Sequence, residues 1–388
     1  MQHCPPASQA DARPTPLSDL HWRRWLLLLP CGLLAASATV LAVSVLSAAP
    51  HSLLDWSLLL PFSLVTAWEG FILWQLVLGF AVWTRGARGL SALERHALSV
   101  DLVPTGRSRT AVLIPIYEED AAAVFTGVRV MLRSLSQMGG RGDVDVHVLS
   151  DTRSGAVLAQ EQAEWASISS EWPDGLFYRH RAVNTGRKAG NIQDFFDRAG
   201  GSYDFAIVLD ADSLMSGGAM RRLIRLMEEH PRVGLIQTVS FATGRETLFA
   251  RIQQFAVRLY APLALRGMHF WQGHEGSYWG HNAILRIAPF RAHCRLPVLP
   301  GKPPLGGEIL CHDIVEGALL VGAGWEVHLL PQMEGTWEEM PTNALDLLSR
   351  ERRWCQGNLQ HLSVLPWKGL RAASRWHLAT GILAYLML

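Results

Sequence analysis

FAIVLDAD, residues 205–212, is an apolar run that ends in two carboxylates one residue apart, Asp210 and Asp212. It reads as a buried strand that delivers both side chains to its carboxyl end. Two hard oxygen ligands at such a place suit Mg²⁺ or Mn²⁺, ions that keep further positions for water and diphosphate oxygens. A pair of aspartates alone is also what a solvated loop looks like. Its place directly after an apolar strand favours the metal. Outward from this stretch, residues 110–117, 144–150 and 233–237 are strand-like, and residues 121–138, 192–198 and 220–229 carry helical patterns. That alternation predicts an α/β fold with one sheet. In open sheets of this kind ligands gather beyond the carboxyl ends of the strands.

Other chemistry-bearing residues fall at matching positions. TAVLIPIY, residues 110–117, ends in Tyr117 and is followed by Glu118, and the strand at 144–150 is followed by Asp151. Carboxylates there accept hydrogen bonds from a base or a ribose. The basic, glycine-bearing stretch NTGRKAGN, residues 184–191, centres on Lys188 and suits the close approach of a phosphate, although a surface turn has the same composition. Cys311-His312-Asp313 opens the helical stretch HDIVEGALLVGAG. An aspartate at that place is a helix cap or a general base. In RERRW, residues 350–354, Arg350, Arg353 and Trp354 share one face of a helix expected to start near Asn343. A cationic pair beside an indole can hold a diphosphate and stack a sugar; a salt-bridged surface helix is the plainer alternative.

The 388-residue chain has a formal net charge of +1, which gives no basic surface for nucleic acid. Its five cysteines show no paired spacing, so neither a zinc site nor a disulfide framework is indicated. Residues 1–20 are rich in Pro, Ser and Ala and are expected to be disordered. Residues 25–46 and 58–83 form two apolar stretches, each long enough to cross a bilayer, within an expected transmembrane hairpin over 21–84. Arg23 and Arg24 precede it and Arg85, Arg88 and Arg95 follow it, while the short link carries no Lys or Arg. This predicts cytosolic ends and a cytosolic catalytic domain over 100–370. Glu69 lies inside the second stretch, facing either a polar path or a neighbouring helix. A last apolar run, residues 377–388, reads as the start of a third span cut short.

The ordered set Asp151, Asp210-x-Asp212, Asp313 and Arg350-x-x-Arg353-Trp354 resembles the D, DxD, D, (Q/R)xxRW signature of processive family-2 glycosyltransferases. RKAGNI, VLDADS, SYWGHNAILR, HDIVEGALL, GWEV and RRWCQGNL are similar to the branch that builds osmoregulated periplasmic glucans. The resemblance covers residues 100–388. It implies a GT-A (nucleotide-diphospho-sugar transferase) domain attached to transmembrane helices in the bacterial inner membrane. It further implies UDP-glucose as donor, a growing β-1,2-linked glucan as product, and acyl carrier protein as a partner.

Residue by residue, the resemblance implies that Tyr117, Glu118, Asp151, Lys188, Asp210 and Arg353 bind the donor. Asp210 and Asp212 would serve the metal, Asp313 would be the base, and His281, Asn282 and Trp354 would meet the acceptor. Arg350 replaces the glutamine of cellulose synthases and His312 the acidic residue before their base. Both changes argue against cellulose rather than against activity. The alternatives are another β-glucan synthase, a nucleotide-sugar-binding sensor without catalysis, and a truncated remnant.

Overall fold

A computed structural model describes residues 18–48, 50, 52–139 and 142–387. The chain divides into two compact units at Phe71/Ile72. In the first, α1 (Ser18–Ser47) runs beside the start of α3 (Leu59–Thr84), joined by a link that carries the short helix α2 (Leu53–Ser57). The hydroxyls of Thr39 and Ser63 meet at 2.8 Å, and Gly70 lies against Leu34. Among the described residues two helical stretches, Leu20–Ser47 and Leu53–Thr84, are long and apolar enough to cross a membrane. Leucines 29, 33 and 41 are exposed on α1. The irregular N-terminus expected over 1–20 lies outside the described residues as far as 17; Ser18–Leu20 form the first turn of α1.

Among its described residues the second unit contains ten strands: β1 (Thr110–Ile116), β2 (Val144–Ser150), β3 (Leu176–His180), β4 (Phe205–Val208), β5 (Leu214–Met215), β6 (Val233–Thr238), β7 (Phe241–Thr243), β8 (Ala283–Arg286), β9 (Glu326–Leu330) and β10 (Thr336–Glu339). Its helices are α4 (Ala92–Ser99), α5 (Ala121–Ser136), α6 (Gly155–Ser169), α7 (Arg187–Arg198), α8 (Gly217–Glu229), α9 (Leu248–Gln272), α10 (Ile287–His293), α11 (His312–Gly322), α12 (Ala344–Val364) and α13 (Ala372–Leu386). The four strands and three helices expected around FAIVLDAD are present within a few residues of their expected ends. The helix expected at 192–198 starts five residues earlier, at Arg187. Gly186 adopts a left-handed conformation (φ 71°) that turns the chain into it, and Lys188 thereby falls in its first turn.

Seven strands form the main sheet in the order β3-β2-β1-β4-β8-β6-β9, and β5-β10-β7 form a second, smaller one. Successive side chains of a strand point to opposite faces, and the core follows that rule. Val112, Ile114, Phe205, Ile207 and Ile284 pack with α5 and α8 on one face. Their neighbours Ala111, Leu113, Ala206, Val208, Ala283 and Leu285 pack with α7, α10 and α11 on the other. The result is a helix–sheet–helix sandwich.

Strand direction places the site. β1, β2 and β4 are mutually parallel, so the residues after them leave at one edge of the sheet. β8 runs antiparallel to β4, which brings its N-terminal approach, Gly280–His281–Asn282, to the same edge. The helix α13 begins at Ala372, before the apolar run noted in the sequence, and packs one face inward through Leu378 and Ile382. Its Gly381 lies against the Asn358 side chain of α12.

Candidate active site

Asp210, immediately beyond β4, forms an ion pair with Lys188 from the first turn of α7. Lys188 Nζ also donates to the Gly280 carbonyl at 2.7 Å. Burial pushes the Asp210 carboxyl up, but Lys188, His281 and Arg353 outweigh it and hold the pKa below the usual carboxylate range. Among the described residues Asp212 forms no ion pair of this kind, and only His281 acts on it as a cation. Burial and the charges of Asp210 and Glu338 push it up to about 6. This is a site with negative charge left uncompensated by the protein. Among the described residues no group of three metal-ligating side chains occurs. A divalent ion held by Asp210 and Asp212 therefore has to take its remaining oxygens from water or a diphosphate, which is the donor set Mg²⁺ and Mn²⁺ accept.

Two residues that sequence reasoning passed over complete this acidic cluster. Glu338, on β10, lies 3.3 Å from Nδ1 of His281. Glu119 has its pKa raised by burial, Asp212 and Asp210, and lowered by Arg353. The expected residue beside it, Glu118, has a different environment. Its φ is 57°, and its Oε1 accepts from the backbone N–H groups of Arg153 (2.8 Å) and Ser154 (2.9 Å) at the start of α6. The turn at Glu118 thus ties the β1 and β2 loops together, while Glu119 faces the aspartates. The only signal for this in the sequence is the pair of successive glutamates.

Tyr117 is about half exposed beside this turn. Asp151 is buried, and both its oxygens accept from Arg181, from Nε and Nη2 at 2.6 Å each. Arg181 lies just past β3, a strand the alternation pattern did not reveal, which is why this partner was missed. Asn282 is fully buried with φ 48°, and neither its amide oxygen nor its nitrogen makes a protein hydrogen bond. Its carbonyl accepts from the N–H and hydroxyl of Thr238.

The opposite side of the site is built on helix ends. Cys311 is the N-cap of α11 and makes no side-chain capping bond; Asp313 sits in the first turn. Burial raises the Asp313 pKa; His312 lowers it and Glu316 raises it, for a net upward shift. His312 is held 3.1 Å from Glu316 one turn further on. Gly280, with φ 84°, fits here because it lacks a side chain: a Cβ would lie 3.1 Å from Asp313 Oδ2. One residue therefore separates Lys188, bonded to the Gly280 carbonyl, from the carboxyl of Asp313. On α12, capped by the Asn343 side chain, the Arg350 guanidinium lies 4.5 Å from the ring centre of Trp354, as their spacing requires. Trp354 keeps 40% of its surface exposed.

Residues 111–294 match the family described as Glycosyl transferase family 2, and residues 205–388 match Glycosyl transferase family group 2. The glucans biosynthesis glucosyltransferase H of Caulobacter vibrioides (strain NA1000 / CB15N) is 48% identical over 285 residues, 74% of this chain and 43% of that one. The protein of the same name from Rhodopseudomonas palustris (strain ATCC BAA-98 / CGA009) is 42% identical over 370 residues, 95% of this chain and 50% of that one. The chain belongs to glycosyltransferase family 2.

The chain spans about half the length of the curated relatives it matches. A mannosyltransferase from Pyrobaculum calidifontis, solved in complex with GDP-Man and Mn²⁺, shares the fold with a TM-score of 0.53. That match is at 14% identity and covers 83% of this chain and 79% of that one. The expected GT-A domain of this family is thus the α/β sandwich described above.

Proposed function

We propose that this chain carries the catalytic domain of a membrane-bound inverting glucosyltransferase that elongates a β-glucan from UDP-glucose. The observation that supports this most is the placement of Asp210 and Lys188 on one side of Gly280 and Asp313 on the other. The names of the curated relatives favour glucose and glucan, with a β-1,2-linked backbone as the product class. The chain's own apolar hairpin and its flanking arginines favour an inner-membrane enzyme with its catalytic domain in the cytosol. Acyl carrier protein is retained as a proposed partner on family resemblance alone.

In this reading Tyr117 and Asp151 line the nucleoside side, with Glu118 fixing the turn between them. His281, Asn282 and Trp354 form the acceptor side, where the buried amide of Asn282 makes no hydrogen bond within the protein. Asp313 accepts the proton of the acceptor hydroxyl. The hydroxyl oxygen then bonds to the anomeric carbon on the face opposite UDP, and the bond from that carbon to the diphosphate oxygen breaks. The raised pKa of Asp313 makes it a stronger base than an ordinary carboxylate. Lys188 and Arg353 meet the charge that develops on the diphosphate. A Mg²⁺ or Mn²⁺ ion bound at Asp210 and Asp212 would supply further neutralisation of that charge, as the Mn²⁺ of the mannosyltransferase neighbour suggests.

Asp313→Asn is the decisive variant. Transfer of labelled glucose in membranes should fall by a factor on the order of 10³, with UDP affinity nearly unchanged. Wild-type turnover in this variant would falsify the assignment of the base. Linkage analysis of the labelled product then decides between a β-1,2 glucan and a cellulose-like polymer.

A further inference from the structure

Beyond the RERRW motif, Gly357, Asn358, Gln360 and His361 of α12 are buried, and Gly357, Gln360 and His361 meet the loop that leads into Asp313. The Gln360 side chain, 1% exposed, makes three hydrogen bonds to that loop. Its Oε1 accepts from Leu310 N at 3.0 Å, and its Nε2 donates to the carbonyls of Gly306 (3.2 Å) and Glu308 (3.0 Å). The next residue, His361, is fully buried with Nε2 3.1 Å from the Cys311 carbonyl. A carbonyl only accepts, so Nε2 carries the proton. Burial drives the His361 pKa down to about 4, so the ring is neutral near pH 7. Asn358 Nδ2 donates to the Trp354 carbonyl at 2.9 Å, and Gly357 packs directly against Cys311.

These bonds form a short mechanical connection. Arg353 and Trp354 lie on α12 less than two turns before Gln360, and Asp313 lies two residues after the clamped Cys311. Nothing in the bond pattern is charged, and nothing in it touches the acidic cluster. A covalently remote segment, residues 306–311, is thereby fixed to the helix that carries the diphosphate and acceptor residues. We propose that Gln360 and His361 are positioning residues, which set the carboxyl of Asp313 against Arg353 and Trp354 by clamping the loop from Gly306 to Cys311 onto α12. The inference rests on the reading of Asp313 as the base.

The physical consequence is specific. Removing the clamp lets the first turn of α11 shift, while Lys188 keeps its own bonds to Asp210 and the Gly280 carbonyl, and the Glu308 side chain of the loop keeps its contacts with Gly186 N–H (2.9 Å) and Arg187 (3.5 Å) at the start of α7. A misplacement of about 1 Å at a reacting group costs roughly a hundredfold in rate. Gln360→Leu in the membrane-embedded chain should therefore lower kcat by about ten- to a hundredfold, with the KM for UDP-glucose and the affinity for UDP within about twofold. His361→Leu should act in the same direction. His361→Gln, which can again present an N–H to the Cys311 carbonyl, should restore most of the loss. Gln360→Glu should be at least as impaired as Gln360→Leu, because a carboxylate cannot donate to two carbonyls.

Unchanged kcat in Gln360→Leu overturns the proposal. So does a loss of UDP affinity in step with kcat, which would assign the residue to general stability. An equal defect in His361→Leu and His361→Gln removes the hydrogen bond from the argument and overturns the role of His361. Asp313→Asn, measured alongside, separates the two layers. If that variant retains turnover the base assignment fails by itself. If it is inactive while Gln360→Leu is normal, only the positioning fails.

Discussion

On one side of the site the carboxylates are held by ion pairs: Asp151 by a two-pronged contact with Arg181, and Asp210 by Lys188. On the other side the loop leading into Asp313 is held by neutral groups, the amide of Gln360, the imidazole of His361 and the close packing of Gly357. The difference comes from what each side gathers. Four carboxylates, Asp151, Asp210, Asp212 and Glu119, lie beyond three parallel strands, and unpaired they would repel one another and resist burial. Cations answer that need at Asp151 and Asp210 before any substrate arrives. On the Asp313 side the buried Glu316 already has His312 3.1 Å away, and the loop before Asp313 needs a fixed geometry besides. Directional hydrogen bonds to backbone atoms supply it.

The contrast can be broken first at Arg181. The side chains of Arg181 and Asp151 are 13% and 4% exposed, so Arg181→Leu leaves a buried carboxylate without its partner. The catalytic domain should lose about 3–5 kcal/mol of stability, read by denaturant unfolding, and Arg181→Leu/Asp151→Leu should recover much of it. A loss under about 1 kcal/mol, the range of an exposed pair, would show that the donor side is not held by this charge pair.

Acid titration probes both sides together, because each contains a buried neutral histidine. His147 on β2 stacks on Phe177 with ring centres 4.8 Å apart and has its Nε2 2.9 Å from the Tyr203 hydroxyl; burial brings its pKa down to about 4. His361 on α12 is brought to about 4 in the same way. In the unfolded chain both titrate near 6.5, so below that pH the unfolded state binds protons that the folded state does not. Stability is complete above about pH 6.5 and falls as the pH drops towards 4, by about 3 kcal/mol per histidine. Unfolding at pH 5.5 should take up one proton fewer in His147→Phe than in the parent chain. An unchanged uptake sinks the assignment of His147 as a buried neutral group.

Gly357→Ala gives the smallest effect and tests the base side alone. The new methyl would meet Cys311 Sγ at 2.4 Å and Cys311 N at 2.7 Å. The helix and the loop must separate, at a cost of about 1–3 kcal/mol, with turnover falling and UDP affinity preserved. If turnover and UDP affinity fall together, the two sides are not mechanically separable.

Much of the sheet was legible before the structure, and so were the aspartates directly after the strands, Asp151, Asp210 and Asp212. Strands such as 205–208 are continuous apolar runs, and the residues directly after them are polar. Short-range pattern is enough to see both. The helix face shared by Arg350 and Trp354 was legible for the same reason, since i and i+4 are fixed by helix geometry. Partnership across the fold was not legible. Arg181 lies after a strand with weak alternation, and Glu338 belongs to a second sheet some 130 residues from Asp210 in the chain. Glu118 and Glu119 look alike in sequence, and the left-handed turn at Glu118 separates their environments.

The amino-acid sequence by itself determined the alternation of strands and helices, the two apolar helices and the residues that carry charge to the strand ends. Those depend on local propensity and on where apolar side chains recur, which each segment encodes alone. The tertiary structure decided which carboxylates are compensated, and that Asp212 is left facing the site without an ion pair of this kind among the described residues. It also decided that the loop leading into Asp313 is bonded to Gln360 and His361. Those depend on antiparallel β8 returning Gly280 to the edge where β4 ends, and on α12 closing over the start of α11. Electrostatics and hydrogen bonding act over a few ångströms in space, whatever the separation along the chain.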